Sequence, residues 1–598
     1  MKAVALFLAL TLGAQAATPI EFRTGRPGFV SLNIYRADGT VVRELLTGSA
    51  YPAGDHAVTW DGLAGGKPLP PGDYHWRALY RDRIEMKVRG WIGDFGGDKG
   101  EPAAVAADDS QIYLGWSKAT ADADAVVACD PAGKVHWTHR RGAVSGCRGL
   151  GVDAGMVYVL GGEGAEVEGR AIYRLNARDG GIVPWPNGRT DLEISSLWPA
   201  KANYKPDRAD YFAVSNGRMY LSFSGGQFIA VLDAKTGAYL QTIVGAPPGP
   251  VDAVPTKTAS PEHPDQSMDA DFVTTSLHDG IIGKMLLAHD PIWVLASALT
   301  PLDEGQRIAA LRMMGDGAPH HKDEIFVGLA PPWNQVQARS ALDSDTVIYV
   351  AGRVGGTQTG ARDRNRMGVI RGIALDAKGQ LWVAEGDANP RRVSVWTTDA
   401  AKGRLVREYF SPPDATSPVA IDPLDPKLLI AGGCEWRIDP ETGRAGCLGV
   451  ITQDALRSVR FAMEKGKVLL VLTPANGPDL VLERAGDGDY RPHDGPAPAP
   501  DVQKFQIVTG TDGAWRLDTA DGYDLGIVFE PAATASGTPI AAVLDSNLPN
   551  HLAAGQPALT QMADGRIFLT ARGSRLWDLE LTGLGSVTPL ADGKVSLP

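Results

Sequence analysis

The sequence predicts an all-β protein, a small β-sandwich followed by a β-propeller of seven or eight blades, and three observations carry that reading. The 598 residues include 71 glycines and 42 prolines, spread without a collagen period, which supply turns to many short strands. Residues 28–80 alternate apolar and polar positions around Asp-Gly turns, the pattern of hairpins. From residue 89 onward a unit of strand, turn, strand, Asp-x-x-x-Gly turn and strand recurs, at roughly the 40 to 45 residues of a propeller blade.

Residues 1–16 read as an export leader. Lys2 precedes an apolar run from Ala3 to Leu12, and Ala14-Gln15-Ala16 has the small-x-small spacing that signal peptidase cuts, so cleavage after Ala16 is expected. The run is too short to span a bilayer, and no later stretch reaches the roughly 18 to 20 apolar residues that a span needs. A secreted or periplasmic protein with no membrane span follows.

Residues 17–88 hold two hairpin patterns: Val30 to Tyr35 and Val41 to Leu46 around Ala37-Asp38-Gly39, then Gly54 to Gly62 and Leu69 to Arg77. The order IYxADGxxVRxL, AGxHxVxWDG and LPPGxYxWR resembles the Ig-like domain of flagellar hook-capping proteins over residues 22–82. That resemblance implies an Ig-like β-sandwich serving as a spacer or contact module without catalysis. Trp60 and Trp76 are expected in its core, where a large apolar side chain on a strand usually goes.

Residues 89–598 carry the repeats. Clear copies occupy 103–140, 149–185, 212–244, 371–410 and 417–448, as in Ile229-Ala230-Val231-Leu232-Asp233-Ala234-Lys235-Thr236-Gly237. Those at 458–490 and 556–590 are weaker, and the long irregular stretch 246–370 has room for one or two more with insertions. The repeats resemble those of NHL-type and quinoprotein-type propellers, which implies a blade and not a site, since propellers host hydrolases, lyases, dehydrogenases and pure binders. Quinoprotein dehydrogenases use a vicinal disulfide and often a haem-attachment motif. This sequence has neither Cys-Cys nor C-x-x-C-H, and no cofactor is predicted.

Cys129 and Cys147 have 17 residues between them, Cys434 and Cys447 have 12, and each pair brackets one strand-turn-strand stretch. Two local disulfides are expected, with two other connectivities open. A calcium or zinc ion has no motif here. C-x-x-C and H-E-x-x-H are missing, and Thr120 to Asp124 alternates acids without the Gly and final Glu of a calcium loop. Metal ligands would have to come from separate blades.

The chain sets 58 Lys and Arg against 70 Asp and Glu, a net charge of −12, which disfavours a nucleic-acid partner. Against that background the stretch 246–370 stands out. Five of the eleven histidines, His263, His278, His289, His320 and His321, fall within 59 residues, and Arg339, Arg353, Arg362, Arg364, Arg366 and Arg371 span 33 residues without a lysine. Guanidinium forks match carboxylate or sulfate and histidine titrates near neutrality, so an anionic ligand is expected. The competing explanation is surface pairing with Asp343, Asp345 and Asp363, worth little per pair.

Two functions fit these residues. The first is a carbohydrate-active lyase or hydrolase acting on uronate-containing saccharide. Arg339, Arg353, Arg362, Arg364 or Arg366 would neutralise the carboxylate, and His263, His278, His320, His321 or Tyr204 would remove the C5 proton. The second is a non-catalytic propeller that binds a glycan or a protein. Convergence of the histidines and arginines on one channel mouth favours the first.

Overall fold

The computed structural model of the chain describes residues 17–244, 284–287, 292–295, 308–313, 324–543 and 558–597, less short stretches of which 162–168, 199–206, 341–346 and 581–587 are the largest. Its regular structure is β-strand apart from one turn of 3-10 helix, Ile194–Ser196. Among the described residues no helix is long and apolar enough to cross a membrane.

Eight meanders of four consecutive antiparallel strands are present among the described residues. They are blade 1 (102–140), blade 2 (147–193), blade 3 (211–244), blade 4 (308–351), blade 5 (369–410), blade 6 (419–450), blade 7 (456–492) and blade 8 (505–543). A further sheet joins Ala558–Gln561, Ile567–Thr570 and Arg575–Glu580 with the earlier strand Glu85–Trp91. The propeller reading rests on these meanders. By internal packing, residues 1–89, 499–571 and 576–598 form one compact unit, and 90–498 with 572–575 form another.

Two local devices explain why the repeats fold as blades. At the first turn an Asp side chain replaces the missing ladder: Asp376 Oδ1 accepts the amides of Lys378 (2.9 Å) and Gln380 (2.8 Å), and its Oδ2 accepts Trp382 Nε1 (3.0 Å). Asp108 does the same for Ser110, Gln111 and the Tyr113 hydroxyl. The Asp376→Ala variant leaves three donors without their acceptor at a buried turn, a loss of roughly 2 to 3 kcal/mol. A urea midpoint unchanged from wild type would contradict this.

The second device is the Asp-x-x-x-Gly turn between the third and fourth strands. Asp130, Asn176, Asp233 and Asp439 accept amides two or three residues on, which closes the turn that the sequence repeats. An aromatic side chain from the neighbouring blade then covers it. Trp137 of blade 1 donates to Ala177 O of blade 2 at 2.8 Å, and Tyr349 of blade 4 donates to Thr397 O of blade 5 at 2.8 Å. Tyr409 of blade 5 donates to Ala132 O of blade 1 at 3.1 Å.

Blade 5 therefore packs onto blade 1, although blades 2 to 4 lie between them in sequence. Ala374, Trp382, Val393 and Val395 share one core with Val105, Ile112, Trp116 and Val127. The described blades of this set run 4, 5, 1, 2, 3, with blades 1 and 2, 2 and 3, and 4 and 5 each enclosing a core of their own. Blades 6 and 7 pack on each other through Ala420, Ile430, Val459 and Leu470.

The expected Cys129–Cys147 disulfide is not present. Cys129 lies in the core between blades 5 and 1, whereas Cys147 lies in the core between blades 1 and 2, so the sheet of blade 1 separates them. The expected Cys434–Cys447 disulfide is not present either, since all four cysteines are buried free thiols, and in blade 6 the ladder sets Cys434 opposite Val450 and Cys447 opposite Trp436.

In the other unit, Val41–Tyr51, Gly28–Tyr35, Gly72–Arg81 and Thr588–Leu597 form a four-stranded sheet, and Thr18–Thr24 pairs with Gly54–Trp60. One core joins them, with Trp60 and Trp76 buried in it as expected. The strand Thr588–Leu597 belongs to this sheet and not to the blade expected at 556–590.

Candidate functional site

In a four-stranded meander the first strand begins and the fourth ends at the same end. In blade 4, Ala351 pairs with Val336 at that end, while Met313 pairs with Ile325 at the other. Residues 352–368 leave from the first end. The turn after Gly386 of blade 5, which pairs with Val369, lies there too. Gly360–Ala361 then runs along Ala445–Val450 as a fifth strand of blade 6, and Arg362 N donates to Leu448 O at 3.0 Å.

This segment delivers four of the arginines singled out in the sequence onto one network. Arg392 is its buried centre, 1% exposed. Its Nε donates to both oxygens of Glu385 (3.0 and 2.9 Å), Nη1 to Glu408 (2.7 Å) and to Arg364 O (3.0 Å), and Nη2 to Arg366 O (2.8 Å). Glu385 also accepts Gly368 N (2.7 Å) and the Ser394 hydroxyl. Both terminal nitrogens of Arg362 grip Glu408, and Arg364 Nε reaches it at 2.9 Å. Arg353 pairs with Asp363 at 2.7 Å, and Arg366 lies 3.5 Å from the same carboxylate.

The charge does not cancel. Five guanidinium groups, those of Arg353, Arg362, Arg364, Arg366 and Arg392, meet three carboxylates, Asp363, Glu385 and Glu408. Arg364 and Arg353 keep 60% and 66% of their side chains exposed. Beside them is a cleft of about 440 Å³, its open mouth included, whose walls include Gln358, Thr359, Asp363, Arg366 and Arg392, with no aromatic side chain.

Burial alone would raise the Glu408 carboxyl, but Arg362 and Arg392 outweigh it and hold it at about 2, against an ordinary 4.5. A depressed carboxyl contributes stability that is complete above pH ~4.5 and disappears as the pH falls toward ~2, here on the order of 3 kcal/mol. The thermal midpoint should therefore drop more steeply across that window in wild type than in Glu408→Gln. Parallel curves would refute the assignment.

Among the other predicted residues, Arg371 pairs with Asp387 and with Glu101. Arg339 lies on the strand Val336–Ser340, its backbone paired with Ile325, and its side chain is outside the described ones. His263, His278, His289, His320, His321, Tyr204, Asp343 and Asp345 lie outside the described residues. The strand ends that flank 314–323, Met313 and Glu324, are at the opposite end of blade 4 from Ala351. Of the expected acidic partners Asp363 is engaged, whereas Glu385, Glu408, Glu101 and Asp387 were not singled out by sequence. Among the described residues no group of three or more His, Cys, Asp or Glu side chains is placed to hold a metal ion.

No known protein family matches the chain, and no curated protein does. Among solved structures it is similar to the β-propeller domain of Cps50 (Swd1) from Myceliophteria thermophila, at 11% identity over 66% of this chain and 98% of that one, TM-score 0.23. It is similar also to hydrazine synthase from Kuenenia stuttgartiensis (12% identity, 59% of this chain and 96% of that one, TM-score 0.29) and to BamB from Moraxella catarrhalis (12%, 64% and 85%, TM-score 0.17). Nothing about function transfers at these values.

Proposed function

We propose that this is an extracytoplasmic propeller that engages an acidic, uronate-containing saccharide at the arginine end of blades 4 to 6. The observation that supports this reading is the surplus of guanidinium over carboxylate around one open cleft. Arg362 and Arg392, saturated by Glu408 and Glu385, hold the framework. Arg364 and Arg353, with Arg366 in the cleft wall, meet the ligand carboxylate, while Gln358 and Asp363 offer hydrogen bonds to hydroxyl groups. Without an aromatic platform, recognition rests on charge and hydrogen bonding. The leader at 1–16 supports the compartment. Lyase or hydrolase action on the same saccharide is the catalytic extension of this reading, with His263, His278 and Tyr204 as the side chains to substitute, whereas the strand ends that flank His320 and His321 are at the other end of blade 4.

The test presents the full chain to a panel of uronate polysaccharides, following retention on a glycan gel, the ultraviolet absorbance of unsaturated uronate, and new reducing ends. Retention that weakens on the order of tenfold in Arg364→Ala supports the binding site. Absorbance together with reducing ends adds β-elimination, and reducing ends alone add hydrolysis. No retention of any acidic glycan at low salt retires the proposal.

A further inference from the structure

The cleft has no aromatic wall, but a tryptophan stands just outside it. Residues 331–335 lie between the strands Glu324–Leu329 and Val336–Ser340 of blade 4, at the end where Val336 pairs with Ala351, which is the arginine end. Asn334 is buried there at a φ of +46°. Its Nδ2 donates to Gly368 O at 2.8 Å, and a Cβ on Gly356 would stand 3.3 Å from its Cγ. One side chain thus ties this turn to both ends of segment 356–368, which carries Arg362, Arg364 and Arg366. Trp333 O accepts Gly355 N at 3.3 Å. On the same short stretch Arg366 Nη1 donates to Val354 O at 2.7 Å, and it would lie 2.9 Å from a Cβ on Gly355. Only residues 354 and 355 separate the backbone of Trp333 from the guanidinium in the cleft wall.

The core between blades 4 and 5 is filled by Phe326, Val336, Tyr349 and Met367 and does not take Trp333. Trp116, Trp137, Trp382 and Trp436 are buried, and each of their indole N–H groups donates to the protein, as buried indoles usually do. Trp333 is partly exposed, after the exposed Pro331 and Pro332 and beside Val354, which is 44% exposed. Its N–H has no hydrogen-bond partner among the described residues.

We propose that Trp333 is the platform of a second sugar subsite, so that the cleft takes an acidic oligosaccharide by two neighbouring sugars, a uronate carboxylate on the arginines and the apolar C–H face of the adjoining pyranose on the indole. This rests on the saccharide reading of the cleft and adds to it a minimum ligand length and the residue that sets it. An indole offers a flat apolar face to ring C–H groups and an N–H donor to a hydroxyl. The turn is fixed to the arginine segment through Asn334 and Gly355, so the spacing between the two subsites is fixed as well. A lone uronate gains nothing from the indole, and a neutral saccharide gains nothing from the arginines.

Titration calorimetry of the full chain compares galacturonic, glucuronic and mannuronic acids, each as the monomer and as its trimer. The trimer that binds best should do so about tenfold more tightly than its monomer. Trp333→Ala should bring that trimer to the level of the monomer and leave the monomer's affinity unchanged, and Trp333→Phe should keep most of the difference, whereas Arg364→Ala should weaken both ligands. The trimer should also change the tryptophan fluorescence of wild type far more than that of Trp333→Phe, which decides the matter if Trp333→Ala fails to fold. A length preference that survives in Trp333→Ala, or monomer and trimer bound equally by wild type, would overturn the subsite and leave the arginine site standing. If no monomer and no trimer binds wild type at low salt, the saccharide reading falls and the subsite with it.

Discussion

Replacing Arg392 with Met should lower the stability of the 90–498 unit by roughly 3 to 5 kcal/mol. Methionine keeps much of the volume, so the loss reports charge and hydrogen bonding rather than a cavity. Glu408 retains Arg362 and Arg364, but Glu385, fully buried, loses its only guanidinium among the described residues. The carbonyls of Arg364 and Arg366 lose their donors as well. A buried carboxylate left without its cation is what makes the loss large. Adding Glu385→Gln should recover part of it at pH 7. Urea unfolding of the three proteins is the measurement, and an Arg392→Met midpoint within error of wild type would show that the pair merely balances its own desolvation.

Gly133→Ala should cost about 2 to 4 kcal/mol, because it breaks the seam by which blade 5 closes onto blade 1. The added Cβ would stand 2.0 Å from Tyr409 Oη and 2.5 Å from its Cζ, at a backbone φ of +89°. The ring has little room to yield, being stacked on Trp382 at 5.8 Å. Gly188 is the control. It has a similar φ of +83° with nothing within 4 Å, so Gly188→Ala should show only the conformational cost of about 1 kcal/mol. Adding Tyr409→Leu to Gly133→Ala should remove the clash and leave a residue of that size. Equal losses at the two glycines would mean that the seam contributes nothing.

The features that could be read from sequence are the ones encoded within a few residues. Asp130 to Gly133 and Asp233 to Gly237 close on their own amides, so the turn is written where it forms. Which blade covers the turn is written elsewhere: Tyr409 reaches Ala132 across 277 residues, and no local pattern announces that contact. The arginine run was visible because guanidinium is concentrated between 353 and 366. Its counter-charges were not, since Glu385 and Glu408 sit inside ordinary strand patterns of blade 5 and acquire meaning only once Arg392 packs between them. The cysteines show the converse error. Cys129 and Cys147 are close in sequence, yet the sheet of blade 1 stands between the cores in which they are buried.

The sheet that begins at residue 28 has a consequence for the birth of the molecule. Its strand Gly72–Arg81 is paired on one side by Gly28–Tyr35 and on the other by Thr588–Leu597, with Ser596 bonded to Asp73 across 523 residues. Val595 and Leu597 also complete its core. While the ribosome is still making the blades, that strand has an open edge and an unfinished apolar face, the template on which strands of other chains add. Removal of residues 588–597 should leave that edge and that apolar face uncovered for good, and so raise the tendency of the chain to aggregate, as light scattering would report.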